Sequence, residues 1–94
     1  MKTLHRPQPC KVLLEPDEAA GFWVSAVRFR GANWQTKITL EVWTYWGEWW
    51  LDPKLEGESR VHYVLGTQRG EICVFYRISP QVTETGWYVA GWYD

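Results

Sequence analysis

Residues 34–46, WQTKITLEVWTYW, decide the fold of this chain. Large apolar side chains and threonines recur at every second position, and they share one face: Trp34, Thr36, Ile38, Leu40, Val42, Thr44 and Trp46. The opposite face begins with the polar residues Gln35, Lys37, Thr39 and Glu41. This alternation predicts a β-strand with one dry and one wet face. The stretch exceeds the usual strand length, so we expect it to bend between two sheets or to run around a barrel.

The alternation changes at the end of this stretch, where Trp43 and Tyr45 fall on the face that begins polar. A bend in the strand would place both rings over a second layer of the core. Alternatively, the two rings form an exposed aromatic ledge, with Trp49 and Trp50 on the other side of the next turn. The chain has eight Trp, more than a core of this size readily holds, so some are expected at the surface.

Shorter strands are predicted on both sides of this one. They are rich in β-branched and aromatic residues, lie between turn residues, and cover residues 10–15, 22–30, 60–66, 71–78 and 87–93. The nearly continuous apolar run at 71–78 indicates a central strand covered on both faces. The predicted fold class is therefore all-β: a small antiparallel meander of five or six strands, strongly bent or closed into a barrel, with essentially no helix.

The length of 94 residues predicts one domain. We expect this domain to span residues 10–94, after a flexible N-terminal arm at residues 1–9 that contains Pro7 and Pro9. The N-terminal stretch lacks the apolar run of a signal peptide, and no apolar run is long enough to cross a membrane. A cytoplasmic protein without membrane contact is therefore expected.

The residues that usually carry catalysis or bind metals do not form a recognisable pattern. The histidines, His5 and His62, have no sequence context typical of an activated nucleophile, and phosphate-loop and metal-binding motifs are absent. A solvated loop is expected to hold the acidic residues Asp52, Glu56 and Glu58. We therefore expect no enzyme activity, no cofactor and no metal.

The two cysteines, Cys10 and Cys73, are too few and too far apart for a disulfide framework or a zinc site. Two free thiols are expected, with a single bridge between them as the alternative. The net charge of −1 disfavours a domain that binds nucleic acid chiefly through its phosphates.

Arginines interleaved with aromatic residues are the remaining candidates for function: Arg28, Arg30, Arg60 and Arg77. Arginine beside an exposed Trp or Tyr can hold a single nucleic-acid strand by stacking and phosphate contact. The same residues can form cation–π pairs within a sheet. They can also anchor a protein interface. The sequence does not separate these three roles.

Five stretches of the chain carry a family resemblance: residues 27–31 (VRFRG), 47–50 (GEWW), 60–64 (RVHYV), 70–77 (GEICVFYR) and 86–94 (GWYVAGWYD). They resemble a small uncharacterised Trp-rich domain of bacterial stand-alone proteins. The same domain stands at the C-terminal end of proteins similar to Y-family translesion DNA polymerases, including catalytically inactive paralogues of the mutasome. The resemblance implies a setting in DNA damage tolerance, as a docking module or a module close to nucleic acid.

Two functions are expected from these observations. The first is a non-enzymatic interaction module that docks to a DNA-repair or replication protein, or to a second copy of itself, through Trp43, Tyr45, Trp49 and Trp50. The second is a β-barrel that binds single-stranded nucleic acid through its arginines and aromatic rings. A barrel that holds a small apolar ligand is a weaker third, because side chains fill the interior of such a small barrel. Monomer and homodimer both remain open, since a free strand edge readily pairs with a copy of itself.

Overall fold

The computed structural model describes residues 2–46 and 58–93, apart from the side chains of Lys2, His5, Tyr45 and Trp46. Seven strands lie in these residues: β1 (Lys2–Pro9), β2 (Lys11–Asp17), β3 (Gly21–Phe29), β4 (Ala32–Trp46), β5 (Ser59–Thr67), β6 (Gly70–Ile78) and β7 (Gly86–Tyr93). One 3₁₀ turn, Val82–Glu84, precedes β7. Within the described part of the chain, no helix is long and apolar enough to cross a membrane.

The seven strands form one antiparallel sheet in the order β1-β7-β6-β5-β4-β3-β2. From β2 to β7 they follow each other as a meander, which confirms the predicted fold class with more strands than the five or six expected. The two edge strands, β1 and β2, are consecutive in the chain and are separated only by Cys10. The Cys10 N–H donates a 3.0 Å hydrogen bond to the Trp87 carbonyl of β7. The sheet is therefore bent so strongly that its two ends are joined through one residue.

Strand β1 occupies the residues that were expected to form a flexible arm. Lys2 pairs with Trp92 and Pro9 with Tyr88, with an irregularity between Thr3 and Gln8. Proline is compatible with this position because an edge strand leaves part of its N–H groups unpaired in any case. The arm expected at residues 1–9 is thus, over residues 2–9, a strand of the sheet.

The core lies on one face of the sheet, called here the core face, and the other face is the outer face. The buried core residues are Val24, Val27, Phe29, Trp34, Leu65, Ile72, Val74 and Val89. In β6, the outer-face residues Cys73 and Phe75 are buried as well. The prediction of a central strand covered on both faces is therefore confirmed for β6.

Burial along β4 differs from its sequence pattern. Trp34 and Thr36 are buried as predicted, whereas residues 37–44 are all exposed. The predicted dry face is therefore wrong for three apolar residues, Ile38, Leu40 and Val42. Alternation shows which side chains share a face, but it does not show whether another element covers that face.

The pairing of β4 explains where its burial ends. β3 pairs with β4 only as far as Gln35, so the described residues place a strand beside the rest of β4 on the β5 side only. The pairing with β5 shifts between Thr36 and Ile38, and again between Thr39 and Glu41. Each shift is a β-bulge, which bends the strand and changes the phase of its side chains.

Candidate functional site

Four rings form a row across the outer face: Trp43, His62, Phe75 and Tyr88. They stand directly opposite one another on β4, β5, β6 and β7. Successive ring centroids lie 4.8, 4.9 and 5.5 Å apart, and the planes of Trp43 and His62 differ by only 4°. Cross-strand aromatic pairs of this kind stabilise a sheet. We call these four residues the aromatic row.

Exposure changes along the aromatic row. Phe75 is 1% exposed, and the guanidinium carbon of Arg60 lies 4.8 Å from its ring centroid. Trp43, at the β4 end, is 43% exposed although it stacks on His62. The outer face is thus a second buried layer around Phe75 and ends in one partly exposed tryptophan. The side chain of Tyr45 and all of Trp49 and Trp50 lie outside the described residues.

Two of the candidate arginines converge on one buried carboxylate beside the aromatic row. Arg60 and Arg77 stand opposite each other on β5 and β6. Arg60 Nη2 lies 3.5 Å from Glu58 Oε2, and Arg77 Nε donates to Glu58 Oε1. Arg77 also contacts Glu84 at 3.3 Å. The Glu58 side chain is 2% exposed, so much of the arginine charge is neutralised within the fold.

The expectation of a solvated loop is therefore wrong for Glu58. Its neighbours in that prediction, Asp52 and Glu56, lie outside the described residues. Glu58 immediately precedes β5, and the two-residue spacing to Arg60 places both side chains on the same face of an extended chain. That spacing is the signal in the sequence that could have identified the pair.

Arg30 has a structural role at the junction of the sheet ends. Its Nε and Nη2 donate to Gln8 Oε1 over 3.3 and 3.1 Å. Its guanidinium carbon lies 5.0 Å from the ring centroid of Phe29 and 5.4 Å from that of Trp92. These cation–π contacts and hydrogen bonds connect β1, β3 and β7.

Arg28 lies in a different environment, on the outer face of the β2–β3 hairpin. It stands directly opposite Lys11 of β2, and among the described residues neither cation makes an ion pair. A groove of about 460 Å³ runs past both cations, and Trp23, Glu15 and Gln35 also line it. Two like charges in directly opposite positions destabilise a sheet unless an anion lies between them. The four candidate arginines thus occupy three separate places.

The two cysteines, Cys10 and Cys73, are free thiols. Burial raises the pKa of the Cys10 thiol to about 12. The pKa of Cys73 is also raised, first by burial and then by the carboxylate of Glu41. Because the thiolate is the reactive form, neither thiol is an activated nucleophile near neutral pH. No three of the described His, Cys, Asp and Glu residues are grouped so that they could hold a metal ion.

The surroundings of His62, within the aromatic row, favour its neutral form. Burial lowers the pKa of its imidazole, and the positive charge of Arg60 lowers it further. Nδ1 is buried and has no hydrogen-bond partner in the described structure. His62 therefore acts as an aromatic spacer between Trp43 and Phe75.

This environment predicts a pH dependence of stability. The pKa of His62 should lie below its ordinary value of 6.5 in the folded state. As the pH is lowered, His62 then takes up its proton in the unfolded chain before it does so in the folded chain. The free energy of unfolding should therefore fall as the pH drops below 6.5. Urea unfolding at several pH values would measure the fall, and His62→Gln should reduce it. An imidazole resonance of His62 that titrates at or above 6.5 would contradict the prediction.

Residues 37–44 are the exposed part of β4, which we call the β4 strip. The sequence predicted the exposure of its polar residues but not that of Ile38, Leu40 and Val42. Ile38 and Leu40 lie over Gly66 of β5, where a Cβ would come within 2.9 Å of Ile38 Cγ2 and 3.8 Å of Leu40 Cδ1. The absence of a side chain at Gly66 lets both residues lie close to the sheet. Together with Trp43 they place exposed apolar surface along the outer face of β4.

The described candidate residues thus lie in the aromatic row, in the Glu58 cluster and in the separate environments of Arg28 and Arg30. No protein-family model matches the chain, and no curated protein or solved structure matches it. The resemblance to the polymerase-associated domain therefore stays a prediction.

Proposed function

We propose that this domain is a non-enzymatic protein-interaction module that docks through the β4 strip. The proposal rests on one observation: all eight residues from 37 to 44 are exposed, and the apolar side chains Ile38, Leu40 and Trp43 share the outer face. Contiguous exposed apolar surface is typical of a protein-binding site. A strand with a partner on one side also offers unpaired backbone groups to an incoming strand.

Trp43 is suited to be the anchor of this surface. Its indole is held against His62 by parallel stacking, so little side-chain freedom is lost when a partner covers its open face. Tryptophan is among the residues that contribute most to protein interfaces. A setting in DNA damage tolerance rests on the resemblance of the C-terminal motifs and is part of the proposal.

The positions of the arginines favour a protein partner over a nucleic acid. Arg60 and Arg77 are paired with Glu58, and Arg30 is bound to Gln8. These side chains do not form the continuous cationic track that follows a phosphate backbone. The net charge of −1 agrees with this distribution.

Two aspartate variants test the docking surface. Ile38→Asp places a charge in the β4 strip, and Val82→Asp places the same charge at a residue that is 85% exposed outside the strip. Both variants should keep the wild-type circular dichroism because neither residue is buried. We expect the immobilised wild-type domain and the Val82→Asp variant to retain the same proteins from a lysate of the source cell. The Ile38→Asp variant should no longer retain these proteins. Equal retention by all three would contradict the proposal.

Single-stranded nucleic acid is a second candidate ligand, favoured by the groove that contains Lys11, Arg28 and Trp23. A short single-stranded oligonucleotide at low salt should then shift the Trp23 indole and Arg28 side-chain signals in a ¹H–¹⁵N spectrum. The Trp43 indole signal should stay in place. Added salt should reverse the shifts, because phosphate contacts release counterions. An unchanged spectrum at low salt would remove this candidate.

A further inference from the structure

The centre of the β4 strip has a symmetric sequence. Thr39 is flanked by the apolar residues Ile38 and Leu40, and these are flanked by the opposite charges of Lys37 and Glu41. All five residues are exposed. The two bulges in the pairing with β5 also fall on either side of Thr39. Read in either direction, the segment presents charge, apolar side chain, threonine, apolar side chain and opposite charge.

The outer face carries three of these side chains. Ile38 and Leu40 both lie over Gly66, while Glu41 stands opposite Val64 and acts electrostatically on Cys73 of the same face. Thr39 stands opposite the core residue Leu65 and so belongs to the core face. The apolar surface and the acidic group are therefore presented together on the side of the sheet away from the core.

We propose that the β4 strip binds a second copy of this chain, with the two β4 strands antiparallel about a two-fold axis at Thr39. This inference rests on the proposed function, since it names the partner of the same docking surface. In this arrangement Lys37 of each copy faces Glu41 of the other, and Ile38 faces Leu40. A two-fold contact requires a surface that is complementary to itself, and a segment with this symmetry meets that requirement.

The charges select this register over its neighbours. An axis at Leu40 would set Lys37 opposite Trp43 and leave its charge unpaired. An axis at Glu41 would oppose the two Glu41 carboxylates, and a parallel arrangement would bring like charges side by side; both are destabilising.

Charge reversal tests the register directly. Sedimentation equilibrium of the wild-type chain should show a monomer–dimer equilibrium. Lys37→Glu and Glu41→Lys should each raise the dimer Kd by about tenfold or more, because each creates two like-charge contacts across the axis. The double variant should return the Kd to near the wild-type value, since both ion pairs are restored with their charges exchanged.

A cysteine at the axis gives a second, independent measurement. Directly opposite residues of antiparallel strands have Cα atoms about 4.5–5.5 Å apart, within the range that a disulfide spans. Oxidised Thr39→Cys should therefore form a covalent dimer. Wild-type chain and Thr83→Cys, an exposed control in the 3₁₀ turn, should stay uncrosslinked under the same conditions.

The outcomes separate this inference from the proposed function. A chain that stays monomeric up to millimolar concentration and does not crosslink at Thr39→Cys overturns the second copy as the partner. A dimer whose Kd is unchanged by both charge reversals overturns the proposed register and partner as well. In either case, the β4 strip would still be supported as a docking surface if Ile38→Asp failed to retain lysate proteins that the wild-type domain captures.

Discussion

Replacement of Phe75 with alanine should lower the free energy of unfolding by about 3–5 kcal/mol. Phe75 is 1% exposed although it lies on the outer face, between the rings of His62 and Tyr88 and beneath the guanidinium of Arg60. Truncation would remove these contacts and leave a cavity. The neighbouring rings are held in place by their own stacking, so they would fill this cavity poorly. A small domain has only about 5–15 kcal/mol of stability in total, so this loss is a large share of it.

Trp43 provides the matched control within the same aromatic row. Among the described rings, that of Trp43 stacks only on His62, and Trp43 is 43% exposed, so Trp43→Ala should cost only about 1 kcal/mol. Urea unfolding followed by circular dichroism would compare the two variants with the wild-type chain. If Trp43→Ala proves as damaging as Phe75→Ala, the outer face is not organised around Phe75 as described.

Glu58→Gln should have the second large effect, a loss of about 3 kcal/mol. The substitution keeps the shape of the side chain but removes the negative charge between Arg60 and Arg77. The two arginine side chains, each 25% exposed, would then lie close together without the carboxylate that both contact. Removing one partner of a buried ionic cluster leaves the other charges poorly compensated, which is where most of the loss arises.

Glu84→Gln is the control for this cluster. Glu84 also pairs with Arg77, but its side chain is 45% exposed, and exposed ion pairs contribute less than about 1 kcal/mol. Chemical unfolding of both variants at the same pH gives the comparison. Similar small losses for both would mean that the Glu58 carboxylate does not organise this end of the sheet.

Strand content could be predicted from the sequence because it depends on local patterns. The apolar run at 71–78 and the aromatic segment at 22–30 lie close to the observed β6 (Gly70–Ile78) and β3 (Gly21–Phe29). Strand β1 was missed because its prolines are unfavourable in a central strand, and the sequence does not reveal that a segment lies at a sheet edge.

Burial and the candidate site were harder to predict because both depend on contacts between distant residues. The strand predicted at β4 is present, but the pairing of β3 with β4 ends at Gln35. Two bulges then change which face of the sheet the side chains of β4 occupy. The stacking of Trp43 on His62 follows from the β4–β5 register, which sequence alone does not provide. Glu58 was predicted to lie in a solvated loop because other acidic residues precede it in the sequence. Its partner Arg77 lies on another strand, and the sequence does not show that the two residues meet.

The junction of the sheet ends at Cys10 has a consequence for the order of folding. Lys2 pairs with Trp92, so β1 needs as its neighbour a strand that is synthesised much later. At about 5–20 residues per second, a ribosome would take roughly 4–20 seconds to make the intervening chain. Contacts so distant in sequence also close slowly. Pairing of β1 should therefore be among the last steps of folding, after the meander from β2 to β7 has formed.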